Sequence, residues 1–195
     1  MGGEPLVALD LVDTLMLAAD PPADLLDNDR AAECWWSLQG RRLPEGPAPD
    51  PGSTRRLRAA IRDLLDSHLE NRAPRETSVE DVNAAAAAVP VSERLVGRGG
   101  ELHQVTRWHD EHGGNVRLAA IAREVIALMS APERLARLRR CANPECSMLF
   151  LAENSRRQWC TPNICGNRAR VARHYQRHRI PGGTAGNAAP NQEGR

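Results

Sequence analysis

Four of the five cysteines fall within 25 residues, as Cys141, Cys146, Cys160 and Cys165. Each pair has four residues between its members, and thirteen residues separate the pairs. A structural zinc site takes four tetrahedral ligands, commonly supplied as two close pairs on either side of a longer segment. The spacing therefore predicts one structural Zn²⁺ on these four thiolates. Some 40 residues around them hold only Met148, Leu149, Phe150, Trp159, Val171 and Tyr175 as large apolar groups. So small a core does not fold unaided, whereas structural zinc contributes about 10 to 16 kcal/mol in peptide models.

Disulfides are the competing use of paired cysteines, and they need an oxidising compartment. The apolar run over residues 6–16 is interrupted by Asp10 and Asp13 and is about half the ~20 residues a bilayer requires. It follows Glu4 and lacks the basic flank of a secretory signal. The chain is expected to be cytoplasmic, with reduced thiols and no membrane partner. At 195 residues, 41 % hydrophobic and 26 % charged, it has room for one core, or for a modest domain and a small satellite.

The formal charge of +1 conceals a division. Residues 1–132 carry 14 Arg against 21 acidic residues, a net −7, whereas residues 133–180 carry 11 Arg against Glu133, Glu145 and Glu153, a net +8. Four thiolates and one Zn²⁺ would lower the second figure to about +6. A basic end on an acidic body suits a polyanion, although solvated arginines or a protein-docking patch give the same pattern. There is no Lys at all, a bias that genome composition explains without function.

Along the chain, residues 5–19 read as a buried helix, with a strand as the alternative. Residues 24–38, with Leu25, Leu26, Trp35 and Trp36, read as a second helix, and the Pro-rich stretch 44–52 as a loop. Ser53 or Thr54 then caps a helix whose Leu57, Ile61, Leu64, Leu65, His68 and Leu69 recur on one face. Ser78 and Asp81 have the form of a capping box for a helix through Ala88. Residues 91–98 and 101–108 flank Gly99-Gly100 and predict a β-hairpin. Helical periodicity returns over residues 118–129. Ser130 is placed to cap a further Arg-rich helix over 133–140 that runs into Cys141. In the basic end, residues 148–151 and 158–159 read as two short strands and residues 166–179 as a helix. Residues 181–195 read as a disordered tail. The fold class is α+β: a mainly helical N-terminal domain (1–132) with one β-hairpin, then a treble-clef-like zinc finger (133–180).

The sequence around the ligands resembles a known family. Cys165-Gly166-Asn167-Arg168 is the signature of the CGNR zinc finger, and Cys141-Ala142-Asn143-Pro144-Glu145-Cys146, Leu149-Phe150, Trp159-Cys160 and the basic helix reaching His174-Tyr175 are similar to it as well. In that family the finger usually follows an ABATE domain, whose opening motif Leu9-Asp10-Leu11-Val12-Asp13-Thr14 resembles. Members commonly have Asn where this chain has Asp13. The resemblance implies a stress-induced bacterial transcription regulator.

With about 3.6 residues per turn, Arg170, Arg173, His174 and Arg177 share one arc of the last helix, with Val171, Ala172 and Tyr175 opposite to pack on the finger's hairpin. That arc is a candidate surface for duplex DNA, since guanidinium groups suit phosphates and guanine edges. Arg168 lies on another arc and is read either as structural or as a first-turn phosphate contact. Arg139, Arg140, Arg156 and Arg157 are candidates to extend the surface. Gly166 is expected to allow a close backbone approach at the metal, and Asn167 to bond its own backbone or a thiolate. His174 and His178 have ligand-like spacing, but four Cys already saturate one zinc. That closed site leaves no open coordination position, so no enzyme activity is expected. His68 is expected to be packed, Cys34 to be buried, Asp10 and Asp13 to bind backbone, and His103, His109 and His112 to form no second metal site. The rival to DNA binding is a zinc-stabilised module that docks on a protein of the transcription machinery. For the N-terminal domain, small-molecule sensing and homodimerisation both stay open.

Overall fold

A six-residue helix buried on every side, α1 (Val7–Val12), lies at the centre of the fold. The structure, a computed structural model, describes residues 6–178; the tail expected to be disordered lies outside them. The helix is far shorter than the expected 5–19 because the Thr14 hydroxyl donates back to Leu11 O at 2.6 Å, and the chain then pairs β1 (Leu15–Met16) with β2 (Ala23–Asp24). Its first N–H groups find a partner in Glu124, which accepts from Ala8 at 3.1 Å. Its buried Asp10 pairs with Arg42.

Helix α2 (Asp29–Gln39) starts at Asn28, whose side chain accepts from the Ala31 N–H. Trp35 and Trp36 occupy its buried face, edge to face at 4.7 Å, and leave Cys34 exposed on another side, contrary to expectation. Helix α3 (Pro51–Leu69) begins earlier than the Ser53 or Thr54 cap predicted. Asp50 accepts from the Ser53 N–H at 2.9 Å, and Pro51 takes the first helical position, where its missing N–H costs nothing. Leu57, Ile61, Leu64 and Leu65 are buried as the periodicity requires, but the last turn reaches past the packed layer and His68 is exposed.

The predicted capping box of α4 (Glu76–Ala87) does not form. Ser78 is buried, and Asp63 of α3 accepts the Arg75 N–H at 2.9 Å, so the helix start is satisfied across the interface. Strands β3 (Val91–Arg98) and β4 (Glu101–Trp108) make the expected hairpin with Arg98 opposite Glu101. Gly99 and Gly100 adopt φ of 60° and 88°, which side-chain-bearing residues rarely take. Helix α5 (Val116–Met129) is capped by Asn115, and α6 (Pro132–Leu135) is only four residues long, with Ala131 rather than Ser130 at its cap.

The expected helix over 133–140 is therefore cut short. Residues Leu138–Arg140 form β5, which pairs antiparallel with β6 (Leu149–Leu151), and residues 158–159 are not a strand. The reason is burial with a period of two. Leu138, Leu149 and Leu151 join the main core with Leu9, Ile61, Leu65, Ile121 and Leu128. Phe150 turns the other way, into a second cluster with Cys141, Cys160 and Cys165. After a π-turn (Pro162–Gly166), α7 (Asn167–His178) ends the described chain. The molecule is thus α+β, mainly helical with one long hairpin, and ends in a small four-cysteine finger.

Candidate metal centre

Two local devices converge the cysteines. Cys141 extends the β5–β6 ladder by donating its N–H to Met148 O at 3.0 Å, and Cys146 closes the knuckle by donating to Asn143 O at 2.9 Å. Across the site, Thr161 O accepts the N–H of Cys165 at 2.9 Å within the π-turn that leads into α7. The four Sγ atoms come within 4.8 Å of one another. Cys146 and Cys160 are 3.8 Å apart, and Cys160 and Cys165 are 3.6 Å apart. A tetrahedron with Zn–S of about 2.3 Å has edges of about 3.8 Å. The donor set fits one Zn²⁺.

The electrostatics agree. Burial, reinforced by the neighbouring thiolates, pushes the Cys146 thiol up to about 11 and raises Cys160 further. Burial also opposes ionisation of Cys141, but the backbone N–H groups of Cys160 and Asn143 outweigh it and lower that thiol. Four crowded thiols of this kind ionise together only around a cation, and zinc binding draws on the thiolate form.

Supporting groups that the sequence reading did not assign surround the ligands. Buried Asn143 places Nδ2 3.9 Å from Cys165 Sγ. Arg157 lies over the Phe150 ring at 4.7 Å and donates to Cys160 O at 2.6 Å. At Gly166 the close neighbour is an indole rather than the metal site: a Cβ there would stand 3.3 Å from Trp159 Cδ1. Asn167 donates to Asn163 O at 2.8 Å rather than to a thiolate.

The N-terminal domain grips the same knuckle. Asp13 accepts the buried Leu149 N–H at 3.0 Å, the Leu17 N–H donates to Ser147 Oγ at 2.9 Å, and Arg62 donates to Ser147 O at 3.1 Å. Arg140 reaches Asp66 and Glu70 at 2.9 and 3.1 Å. Of the four arginines expected to extend a DNA surface, Arg140 and Arg157 are thus held within the protein. Arg139 donates to the carbonyls of Ala136 and Leu138, and Arg156 is exposed.

Helix α7 carries Arg168, Arg170, Arg173, His174 and Arg177. Arg168, Arg170 and His174 are exposed; Arg170 contacts Asn167, and the His174 ring meets Tyr175 edge to face. The side chains of Arg173, Arg177 and His178 lie outside the described residues. Val171, Ala172 and Tyr175 do not pack on the finger as expected. They are exposed, and half-buried Ala169 marks the inner side, because the helix is anchored only at its start, by Cys165 of the preceding π-turn. His103 is exposed, and His109 bonds Ser92 and Glu111. Among the described residues the four cysteines are the one such group able to hold a metal.

Fold and site together define a helical domain carrying a C-terminal zinc finger. Residues 137–178 match the model of the CGNR zinc finger. Residues 6–132, more than half of the chain, match the ABATE family, described as "Putative stress-induced transcription regulator", and the protein belongs to that family. Both families are described in regulatory or zinc-finger terms, not enzymatic ones. No curated protein matches the chain. No helix among the described residues is long and apolar enough to cross a membrane.

Proposed function

We propose that the protein is a DNA-binding transcription regulator, in which residues 1–132 form the body and residues 133–180 a zinc-dependent finger that contacts duplex DNA. The observation that carries this reading is α7, a helix with four Arg, two His and no acidic residue. It leaves the metal centre with Arg168, Arg170 and His174 exposed. Cys141, Cys146, Cys160 and Cys165 hold the zinc, which supplies the rigidity that presents the helix. Arg170, Arg173, His174 and Arg177 face the duplex from one arc, and Arg168 contacts a phosphate from the first turn.

The test is fluorescence anisotropy of duplex DNA with the zinc-loaded full chain at several salt concentrations. The whole chain is needed because β5 and β6 share the main core. If Arg170 neutralises one phosphate, Arg170→Ala lowers the slope of log affinity against log salt by about 0.9. An unchanged slope refutes that contact.

A second reading has its own observation. Ile164, Val171 and Tyr175 are 54 %, 53 % and 71 % exposed, the last two one turn apart on α7 as a short apolar stripe. Such a stripe suits a protein of the transcription machinery. Val171→Asp would then abolish protein capture and leave duplex affinity intact.

A further inference from the structure

The arginines of the acidic body are not spread evenly. Arg55, Arg58, Arg62, Arg72 and Arg75, five of the 14 in residues 1–132, line one cleft of about 430 Å³ against α3. Of the 21 acidic residues in the same span, only Asp63 and Asp66 line it. Leu15 and Leu17 of the β1 segment supply an apolar wall. The volume falls within the range of about 300 to 1,000 Å³ typical of small-molecule sites.

The ion pairs leave positive charge over. Arg58 is buried against Asp24, and half-buried Arg62 pairs with Asp66, which Arg140 also contacts. Arg72 and Arg75 share the single carboxylate of Asp63 at 3.0 and 3.4 Å, although Arg72 also reaches Glu70. Arg55 is exposed and enters none of the ion pairs among the described residues; it acts on Asp24 only from farther away. Six guanidinium groups, counting Arg140, therefore face four carboxylates. Of the five that line the cleft, Arg55, Arg72 and Arg75 are the exposed ones, and Leu17 is exposed beside them; Arg140, also exposed, is held by Asp66 and Glu70 outside the lining.

We propose that this cleft binds a small amphipathic anion, whose phosphate or carboxylate is received by Arg55, Arg72 and Arg75 and whose apolar part lies on Leu15 and Leu17. Guanidinium groups bind such headgroups through paired, charge-assisted hydrogen bonds. A DNA backbone is the poorer occupant, because the site is concave and Asp63, Asp66 and Glu70 stand among the arginines. Two of the cleft's residues, Leu17 and Arg62, are those that hold Ser147, the neighbour of the ligand Cys146. Occupancy of the cleft is thereby transmitted to the metal knuckle.

The test is isothermal titration calorimetry of the zinc-loaded full chain, without DNA, so that its outcome is independent of the DNA reading. Hexyl phosphate, hexanoate and inorganic phosphate serve as probes; the first two distinguish a phosphate from a carboxylate headgroup. Hexyl phosphate or hexanoate should bind one to one. Hexyl phosphate should bind about tenfold or more tighter than inorganic phosphate, through the buried methylenes. Arg55→Ala and Arg75→Ala should each weaken the bound probe by about tenfold, and Leu17→Ala should weaken the hexyl probes alone. Arg156→Ala, on the finger, should change nothing. With the probe bound, hydrogen exchange of the amides at residues 147–149 should shift. Absence of binding, or binding indifferent to Arg55 and Arg75 or lost in Arg156→Ala, overturns the site. Unaltered exchange at the knuckle overturns its link to the finger.

Discussion

The two faces of β6 show two ways of holding a protein together. Leu149 and Leu151 face a core built by four long helices, in which apolar burial is sufficient. Phe150 faces a cluster in which three of the five buried residues are cysteines. One side is held by the hydrophobic effect and the other by a metal, and a three-residue strand joins them. The finger is thus neither an independent bead nor an extension of the helical core. It borrows one wall from the body and makes the other with zinc.

Metal removal should break this comparison most severely. Chelation withdraws a contribution of about 10 to 16 kcal/mol, so backbone amides from Cys141 to α7 should lose hydrogen-exchange protection while those of α3 and α5 keep it. Equal loss in both regions would mean that zinc supports the whole molecule. Truncating the shared strand comes next. Leu149→Ala should cost about 2 to 5 kcal/mol and Phe150→Ala about 3 to 5. The first should lower the melting temperature of the helical body; the second should act mainly on metal affinity, measured by competition with a chelator. If both variants shift the same transition equally, the strand does not divide the two cores.

The smallest effect is confined to the body. Burial would raise the Asp63 carboxyl, but the Arg75 backbone N–H, the Ser78 hydroxyl and the Arg72 guanidinium together hold it at about 2. A carboxyl depressed in the folded state stabilises at pH above its unfolded value, near 3.9, and that contribution disappears as pH falls through about 2. Asp63→Asn should therefore be less stable than the parent by about 1 to 2 kcal/mol near neutrality, after allowance for solvent screening. The gap should close between pH 4 and 2 in denaturant titrations, and a gap independent of pH would deny the carboxylate this role.

What was legible in the sequence follows from how far each determinant reaches. The Gly99-Gly100 turn, the stripe from Leu57 to Leu65 and the pairing of the cysteines are local, and all three appear in the structure as expected. Ser78 has the local form of a cap, yet Asp63, fifteen residues earlier, takes that duty because α3 packs against α4. His68 and Cys34 were misplaced for a related reason: helical periodicity identifies a face but not where the neighbouring element stops. The strand at Leu138 was hidden in an Arg-rich run that suits a helix equally well, since three residues are too few to display a period.

The chemistry of the metal site was determined by sequence alone, because four cysteines in two close pairs at that spacing are the usual donor set of a structural zinc. Only the tertiary structure decided what the finger leans on and what it leaves bare. Asp13 meets Leu149 across 136 residues, and five arginines from the α3 segment and its following loop meet β1 around a cleft. Contacts of that range depend on how whole elements pack, and nothing in their local sequence encodes them.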